Sequence, residues 1–398
     1  MSKKTLMILG GSRYILPLIK SAHELDVFVI TVDYIPSNIA HKYSDLYLNI
    51  SVTDKDAVLK AAKHFNIDGI SSFACDPGVT TAAYVANKLN LPSPGPYESV
   101  CILQNKGLFR SFLSENGFNV PIAKSYLDKS TALKDSESFS YPVIVKPVDS
   151  AGSKGVTRVD NVRNLGKAID VAISSSMTKS FIIEEFIEKQ GCSSDSDFYS
   201  IDGKIVLATY SDQYFDEDSE NPYVPAGFVW PSTMSKKHQS ELTSEIQRLL
   251  TLLQMKTSIY NVEARVSKEG KPYIMEISPR GGGNRIAEMI RYHLGIDLIK
   301  KHIVDTVGLN DNSDLLKHSI SKPISMVVLH SKKDGVFKGI RVHKNINYLV
   351  LEKDVWIKNE TPIKSFKGAN NSFGTVVCSM NSHTNFEDIK KGIEVVVK

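Results

Sequence analysis

Hydrophobic and amphipathic stretches alternate along the first ninety residues of the chain. Continuous apolar runs rich in β-branched residues, which are typical of buried parallel strands, predict strands at 5–9, 27–32, 47–50 and 69–73. Thr53 is placed to cap a helix over 53–65, and Asp76-Pro77 combines a capping residue with proline at the first position of the next helix. Strands that alternate with helices predict a doubly wound parallel-sheet domain of the α/β class.

The segment Pro92-Ser93-Pro94-Gly95-Pro96 ends this alternation and predicts a linker. Beyond it the pattern is α+β, with strands predicted at 142–147, 180–187, 197–212, 257–267 and 271–278. Helices are predicted at 105–117, 162–177, 235–254, 284–293 and 297–307. A polar stretch over 309–314 predicts a second linker, and short strands with a closing helix near 386–397 follow it. We therefore predict three domains, at residues 1–95, 96–308 and 309–398.

The composition is that of a soluble globular protein. Hydrophobic residues make up 42% of the 398 residues and charged residues 23%. The formal net charge of +4 is too small for a dedicated nucleic-acid binder. No run approaches the roughly 20 apolar residues of a membrane span, and no signal peptide is recognisable. The four cysteines lack C-x-x-C spacing and suggest reduced thiols. We expect a cytoplasmic protein that binds neither nucleic acid nor membrane.

Gly10-Gly11 lies between a predicted strand and a helix, where backbone N–H groups favour an anion. Asp33 follows about twenty residues later, at the distance where a dinucleotide fold holds a ribose hydroxyl. The G-x-G-x-x-G fingerprint is absent, which disfavours a nicotinamide dinucleotide. A tight turn and a loop that touches an anionic part of a substrate remain as interpretations.

A lysine and a small-residue loop follow one another in the second predicted domain. Lys146 ends a predicted strand, and the loop Ser150-Ala151-Gly152-Ser153-Lys154-Gly155 comes directly after it. Glycines let backbone N–H groups approach oxygen atoms and lysine adds a point charge, a combination that suits phosphates. An ordinary hairpin is the alternative.

The strongest motif is a predicted hairpin that carries two carboxylates. Glu263 and Glu276 lie on strands joined by a short turn over 268–271, so they can face each other. Two carboxylates without soft ligands suit Mg²⁺, which is usually shared with substrate phosphates. Arg280 can pair bidentately with a phosphate, and the glycines at 281–283 allow close backbone approach. The alternative is a pair of structural ion bridges, from Glu263 to Arg265 and from Glu276 to Arg280.

Taken in order, these pieces resemble the ATP-grasp superfamily. The matching motifs are Asn105-Lys106 at a helix start, Ile144-Val145-Lys146-Pro147 with its loop, Glu184-Glu185-Phe186-Ile187, and the hairpin that carries Glu263 and ends in Glu276-Ile277-Ser278-Pro279-Arg280. The resemblance spans nearly the whole chain. It implies a central ATP-grasp fold, preceded by an α/β domain like that of biotin carboxylase and the purine-pathway members.

The resemblance also implies which residues hold ATP: Lys106, Lys146, Ser150, Gly152, Ser153, Gly155, Glu184, Glu185, Phe186, Ile187 and Asp197. The two lysines match those that contact the α- and β-phosphates, and the loop matches the one that closes over the γ-phosphate. The backbones of Glu185 and Ile187 match the hinge that pairs with the adenine edge. Asp197 is preferred to Asp195 for the ribose because we expect Asp197 at a strand start.

For the metal, the resemblance implies Glu263, Glu276 and Ser278 as ligands of Mg²⁺, with Mn²⁺ as an alternative ion. The family usually has Asn at the third position, so Ser278 is a departure. Arg280 matches the arginine that steadies the transferred phosphoryl group or the acyl phosphate. Arg280 and Lys146 are therefore the predicted catalytic residues.

These matches imply an ATP-dependent carboxylate–amine ligase with small-molecule acid and amine substrates. A bicarbonate-using carboxylase of the same superfamily and a non-catalytic ATP-binding protein are the two alternatives. Arg285 and Arg291 could hold a substrate carboxylate, or they are helix-surface cations. A homodimer is an expectation from the related enzymes.

Overall fold

The structure is a computed structural model, and it describes residues 3–150, 152–310, 316–317 and 320–398. Ala151 of the predicted phosphate loop and residues 311–314 of the predicted second linker lie outside the described residues. None of the helices in the described part of the chain is both long and apolar enough to cross a lipid bilayer.

The N-terminal segment is a parallel sheet covered by helices, as the alternating pattern predicts. Its elements are β1 (Thr5–Leu9), α1 (Leu16–Glu24), β2 (Phe28–Val32), β3 (Leu46–Leu48), α2 (Lys55–His64), β4 (Gly69–Ser71) and α3 (Asp76–Leu89). All strand pairs are parallel, in the order β3-β2-β1-β4. Both expected caps are wrong: the side chain of Asp54 caps α2 rather than Thr53, and Asp76 is the first residue of α3 rather than its cap. The side chain of Asp76 is therefore available for another contact.

Two helices and a small antiparallel sheet follow. These elements are α4 (Tyr97–Gln104), α5 (Lys106–Glu115), β5 (Ala123–Tyr126), α6 (Lys129–Lys134), β6 (Val143–Pro147), β7 (Thr157–Val159), α7 (Leu165–Ser175) and β8 (Phe181–Glu185). The sheet has the order β5-β8-β6-β7. Strand β6 delivers Lys146 next to the end of β8, so the predicted lysine and the predicted hinge are neighbours.

A second antiparallel sheet carries the predicted hairpin. The elements of this stretch are β9 (Ser194–Ile201), β10 (Lys204–Ala208), β11 (Asp212–Phe215), β12 (Pro225–Trp230), α8 (Lys236–Leu252), β13 (Ser258–Val266), β14 (Pro272–Ser278), α9 (Ile286–Leu294) and α10 (Leu298–Val307). The sheet has the order β10-β9-β13-β14. The single strand predicted over 197–212 is wrong, because turns divide this stretch among β9, β10 and the start of β11.

The C-terminal segment adds β15 (Ile324–Leu329), β16 (Gly335–Val342), α11 (Lys344–Asn347), β17 (Val350–Val355), β18 (Pro362–Ile363), β19 (Gly374–Ser379), α12 (Phe386–Lys391) and β20 (Ile393–Val397). The closing helix expected near 386–397 is half wrong, because α12 ends at Lys391 and the rest is strand β20, which pairs with β16. A five-stranded sheet, β11-β12-β15-β19-β17, joins strands from both sides of the boundary predicted after residue 308. The three-domain division stays a prediction, and a C-terminal unit cut there would lose two strands of this sheet.

One hydrophobic core connects all three segments. It includes Leu6 of β1, Met289 of α9, Ile303 of α10 and Met326 of β15, each with an exposed fraction of 0%. Helix α10 packs on α1, and α9 packs on β9 and β15. The N-terminal segment is therefore fixed against the sheet that carries the hairpin, by contacts that exclude water.

Candidate active site

The hairpin of β13 and β14 pairs the two predicted metal ligands directly. Glu263 lies opposite Glu276 and Asn261 lies opposite Ser278 in the antiparallel register. Residues two apart on a strand share a face, so these four side chains lie on the same face of the sheet. The prediction that the two carboxylates face each other is confirmed.

Strand β9 extends this polar surface by two acids. Asp195 lies opposite Glu263 and Asp197 opposite Asn261. Both acids are buried, and Asn261 Nδ2 donates to Asp195 Oδ1 at 2.7 Å and to Asp197 Oδ1 at 3.3 Å. Burial raises the pKa of Asp197 to about 7, although the N–H of Gly282 donates to its carboxylate at 2.9 Å. The expected position of Asp197 at a strand start is wrong, because β9 begins at Ser194.

Lys106 lies beside the carboxylate pair at the start of α5. The side chain of Asn105 caps this helix by accepting from the N–H groups of Gly107 and Leu108. The Nζ atom of Lys106 lies 3.2 Å from Glu276 Oε2 and donates to the carbonyl of Ser150 at 3.1 Å. Burial alone would lower the pKa of Lys106, but Glu276 and Asp76 outweigh it and the pKa is raised. The lysine is therefore charged next to Glu276.

The two carboxylates of the hairpin have opposite pKa shifts. Burial and the neighbouring Glu276 raise the pKa of Glu263. Burial also opposes the charge of Glu276, but Lys106 and Lys146 outweigh it and lower the pKa of Glu276. Within the described ranges no three His, Cys, Asp or Glu side chains form a complete metal site. Two carboxylates are the protein share of a site in which Mg²⁺ takes its other oxygens from phosphates and water.

Lys146 takes part in a buried ion cluster with Glu184 and Arg110. Lys146 Nζ donates to Glu184 Oε1, and Arg110 Nε donates to the other carboxylate oxygen at 3.0 Å. Arg110 NH2 also donates to the carbonyl of Met275 at 2.9 Å. Burial, helped by Arg110 and Lys106, lowers the pKa of Lys146 to about 8 in spite of Glu184. The side chain of Glu184 thus holds the predicted phosphate lysine.

The hinge after β8 has one free backbone donor. The N–H of Glu185 donates to the carbonyl of Ile122 at 2.8 Å, and that of Phe186 to Pro142 at 3.2 Å. No described residue accepts a hydrogen bond from the N–H of Ile187. The carbonyl of Ile187 accepts from Arg265 NH1 at 3.2 Å. The unpaired N–H of Ile187 can donate to an acceptor nitrogen of a purine.

The predicted phosphate loop is docked against the opposite side of the cleft. Gly152, Ser153 and Gly155 have φ angles of +66°, +59° and +74°, and glycine adopts such angles most readily. Ser153 Oγ donates to the carbonyl of Tyr223 at 2.8 Å, and Asn221 Nδ2 donates to the carbonyl of Ser153 at 3.1 Å. The described part of the loop is therefore held against residues 221–223 in this structure.

Arg280 follows the hairpin, and the edge of its guanidinium formed by Nε and NH2 faces Asp76. Its Nε and NH2 atoms lie 2.8 and 2.7 Å from Asp76 Oδ1, and its NH1 atom donates to Asn261 Oδ1 at 2.9 Å. Asp76 therefore occupies the edge of the Arg280 guanidinium that the sequence predicts would pair with a phosphate. Ser278 Oγ accepts from Gln104 at 2.8 Å and donates to Asp76 at 3.3 Å. The serine that stands where the family usually has Asn is therefore hydrogen-bonded to two side chains.

The two arginines of α9 have structural partners. Arg285 donates to Glu288, Glu352 and Thr375, and its side chain is 9% exposed. Arg291 lies at the surface, 67% exposed and 3.2 Å from Asp297. In this structure the guanidinium of Arg285 is engaged by these partners and joins the start of α9 to the C-terminal sheet, whereas that of Arg291 is largely exposed.

Sequence reasoning missed several residues that surround the site. They are Asp76, Gln104 and Arg110, together with the amide of Asn261, whereas Asp195 was considered and set aside in favour of Asp197. Arg110 and Glu184 are 74 positions apart, and Asp76 and Arg280 are 204 apart. A single sequence carries no signal for such pairs.

Comparison with known proteins gives the family. Residues 139–288 match the ATP-grasp domain. These residues of the chain form an ATP-grasp domain. The match includes β6, the hinge and the hairpin, whereas Lys106 lies before it.

Two curated relatives and one solved structure illustrate these ATP-grasp similarities. The chain is 26% identical over 308 residues to D-alanine–D-alanine ligase of Parabacteroides distasonis, covering 70% of this chain and 89% of that relative. It is 26% identical over 203 residues to the C-terminal section of the carbamoyl phosphate synthase large chain of Aquifex aeolicus, covering 51% of this chain and 37% of that relative. The crystal structure of L-amino acid ligase from Bacillus licheniformis covers 100% of both chains with a TM-score of 0.81 and 19% identity.

The structural likeness shows a shared fold over the whole chain, including the N-terminal parallel sheet. The chain spans 54% of the length of the first curated relative and 37% of the next. Activity and substrates are therefore inferred from the site itself.

Proposed function

We propose that the chain is an ATP-dependent carboxylate–amine ligase. It would phosphorylate a small carboxylate with ATP, release ADP, and let an amine displace phosphate. The observation that carries this proposal is the direct opposition of Glu263 and Glu276 beside Lys106. Two carboxylates and a lysine on one surface form a site for a metal-bound polyphosphate.

The residues present fit ATP along the whole cleft. The free N–H of Ile187 suits the adenine edge, and the pair Lys106 and Lys146 suits the phosphates. The loop over 152–155 would cover the γ-phosphate. Glu263 and Glu276 would hold Mg²⁺, which neutralises phosphate charge when bound. For Asp197 we propose a place near the reacting groups, because it contacts Gly282 beside Arg280.

The chemistry requires charge stabilisation and no protein nucleophile. A carboxylate is a poor electrophile, and transfer of the γ-phosphoryl group to its oxygen creates a good leaving group. The amine then attacks the carbonyl carbon, the C–O bond to phosphate breaks, and the amine loses a proton. Arg280 and Lys146 would stabilise the negative charge that builds up on oxygen. Lys146 has a pKa of about 8, so it is largely cationic near neutral pH.

Hydroxylamine trapping tests this proposal. The protein, Mg-ATP and hydroxylamine are incubated with pooled carboxylic acids, and a parallel sample contains bicarbonate alone. A hydroxamate formed with equal ADP release establishes acyl-phosphate chemistry, and deconvolution of the pool identifies the acid. ATP turnover that depends on bicarbonate, without a hydroxamate, would replace the ligase by a carboxylase. Tight Mg-ATP binding without turnover in any sample would favour a non-catalytic protein.

A further inference from the structure

The candidate catalytic arginine takes its main partner from the N-terminal segment. Both Nε and NH2 of Arg280 point at one oxygen of Asp76, at 2.8 and 2.7 Å. The side chains are 10% and 23% exposed, so water competes little for this contact. The hydroxyl of Ser278 donates to the same oxygen at 3.3 Å. Three donors from the hairpin end therefore converge on a residue from the other side of the cleft.

The backbone around Asp76 is docked on the loop that follows the hairpin. The N–H of Ala74 donates to the carbonyl of Gly281 at 3.2 Å. A Cβ atom on Gly281 would lie 2.2 Å from Cζ of Phe73, so the ring occupies the space that the glycine leaves. The end of β4 and the start of α3 thus have a fixed position relative to Arg280.

A count of donors shows how little freedom Arg280 has. A guanidinium has five N–H groups. Nε donates to Asp76, NH2 lies 2.7 Å from the same oxygen as an ion-pair contact, and NH1 donates to the carbonyl of Gly281 at 3.0 Å and to Asn261 Oδ1 at 2.9 Å. NH2 contacts no other acceptor among the described residues. The donor group that Arg280 can still offer to the cleft is therefore NH2.

We propose that Asp76 is a positioning residue that orients this remaining donor of Arg280 toward the reacting oxygen atoms. The inference rests on the proposed function, because it assigns Arg280 to phosphoryl transfer. A preorganised donor stabilises developing charge without reorganising during the reaction. Without Asp76, the guanidinium would keep its contacts through NH1 but could rotate about them. The N-terminal segment would then contribute to the reaction rate.

A purely structural role predicts different behaviour. If Asp76 only ties the N-terminal segment to the hairpin, its loss would lower thermal stability and affect all kinetic constants together. If it positions Arg280, kcat falls while the KM for ATP changes little, because Asp76 acts on Lys106 through its charge alone and Lys106 keeps its ion pair with Glu276. The two roles are separable by kinetics.

The test compares Asp76→Ala and Asp76→Asn with the control Asp54→Asn, all in the full chain. Asp54 caps α2 through the N–H of Ala57 at 3.0 Å, and asparagine caps helices equally well, so this control should behave as the unaltered protein. We expect kcat for ADP release to fall about 100-fold in Asp76→Ala, the size of effect that a misplaced group produces, with the KM for ATP within about twofold. Asp76→Asn retains an acceptor oxygen and should keep part of the rate. A proportional loss in kcat and affinity, or no loss, would overturn the inference.

A double-substitution cycle decides whether Asp76 acts through Arg280. The variant Asp76→Ala/Arg280→Ala should be no slower than Arg280→Ala alone, because the positioned group is already absent. Multiplied losses would contradict the proposal.

Arginine side-chain NMR provides a readout that needs no turnover. In protein labelled with ¹⁵N-arginine, the Nε–H signal assigned by Arg280→Lys should exchange slowly with water, and rapidly in Asp76→Ala. An unchanged signal overturns the positioning contact itself. A slow signal in a protein that forms no hydroxamate and turns over no ATP overturns the proposed function, and with it the catalytic part of the inference.

Discussion

Replacing Glu184 by Gln should loosen the sheet of β5–β8 far more than the same change at the next residue. Glu184 is 2% exposed and faces two cations, Lys146 and Arg110. Two unit charges 3.0 Å apart, the distance from Arg110 to Glu184, attract by about 5.5 kcal/mol at an effective dielectric constant of about 20. Desolvation offsets part of this attraction, and loss of one partner from a buried ion pair costs about 3–5 kcal/mol. Glutamine also turns an N–H₂ group toward one of the two cations.

The matched control is Glu185→Gln. Glu185 is exposed and accepts one long hydrogen bond, from the N–H of Ile122 at 3.4 Å. Its substitution should change stability by less than about 0.5 kcal/mol, as is usual at the surface. The two variants have the same net charge and differ only in which of the two adjacent carboxylates is replaced by an amide.

Hydrogen exchange followed by mass spectrometry reports the stability of this sheet directly. Both tryptophans, Trp230 and Trp356, lie outside the sheet, so their fluorescence would follow other parts of the molecule. A loss of about 3 kcal/mol should accelerate exchange more than about 100-fold in peptides from β6 and β8. Equal exchange in the two variants, or a larger effect of Glu185→Gln, would refute the ion-cluster reasoning.

Three further predictions concern the nucleotide site. ATP affinity should fall as pH rises through about 8, by up to about tenfold per pH unit, because Lys146 loses its charge there. Calorimetric titrations from pH 7 to 10 should show this decline. The variant Lys146→Arg should bind ATP with little dependence on pH over this range, because arginine stays charged. Glu276→Ala should abolish ADP release. Its unfolding temperature should stay near that of the control Glu269→Ala, because the side chain of Glu276 is 35% exposed and adds little core volume. Normal turnover in Glu276→Ala would contradict the assignment of Glu276 as a metal ligand. Gly152→Pro should slow turnover far more than it weakens ATP binding, because proline cannot adopt the φ angle of +66°; equal losses would indicate a static loop.

The hairpin was predictable because its information is local. A short turn joins the two strands, and burial alternates along most of β13, so a one-residue slip would exchange its buried and half-buried side chains. The pairing of Glu263 with Glu276 follows from that register. The alternation of strands and helices in the N-terminal segment is local in the same sense, and its parallel sheet is confirmed.

The C-terminal end shows where local information fails. Residues 386–397 read as one helix, yet Gly392 ends α12 and the following strand pairs with β16. The β-branched run Val395-Val396-Val397 favours a strand, but only the distant partner strand makes that preference decisive. The five-stranded sheet is missed for the same reason, since β12 and β15 pair although about a hundred residues separate them.

Asp76 shows that a correct local argument can hide a distant role. Its position before Pro77 fits a helix cap, and that explanation left no reason to look for another partner. In the structure the residue is the first of α3, no backbone N–H among the described residues donates to its carboxylate, and the side chain contacts Arg280 across 204 positions. Burial of a charge requires a partner, so the half-buried Asp76 and the buried Arg280 each explain the other. The surroundings of Arg280 are thus built from segments that a division into domains would separate, and its ion pair with Asp76 forms only when the N-terminal segment is in place.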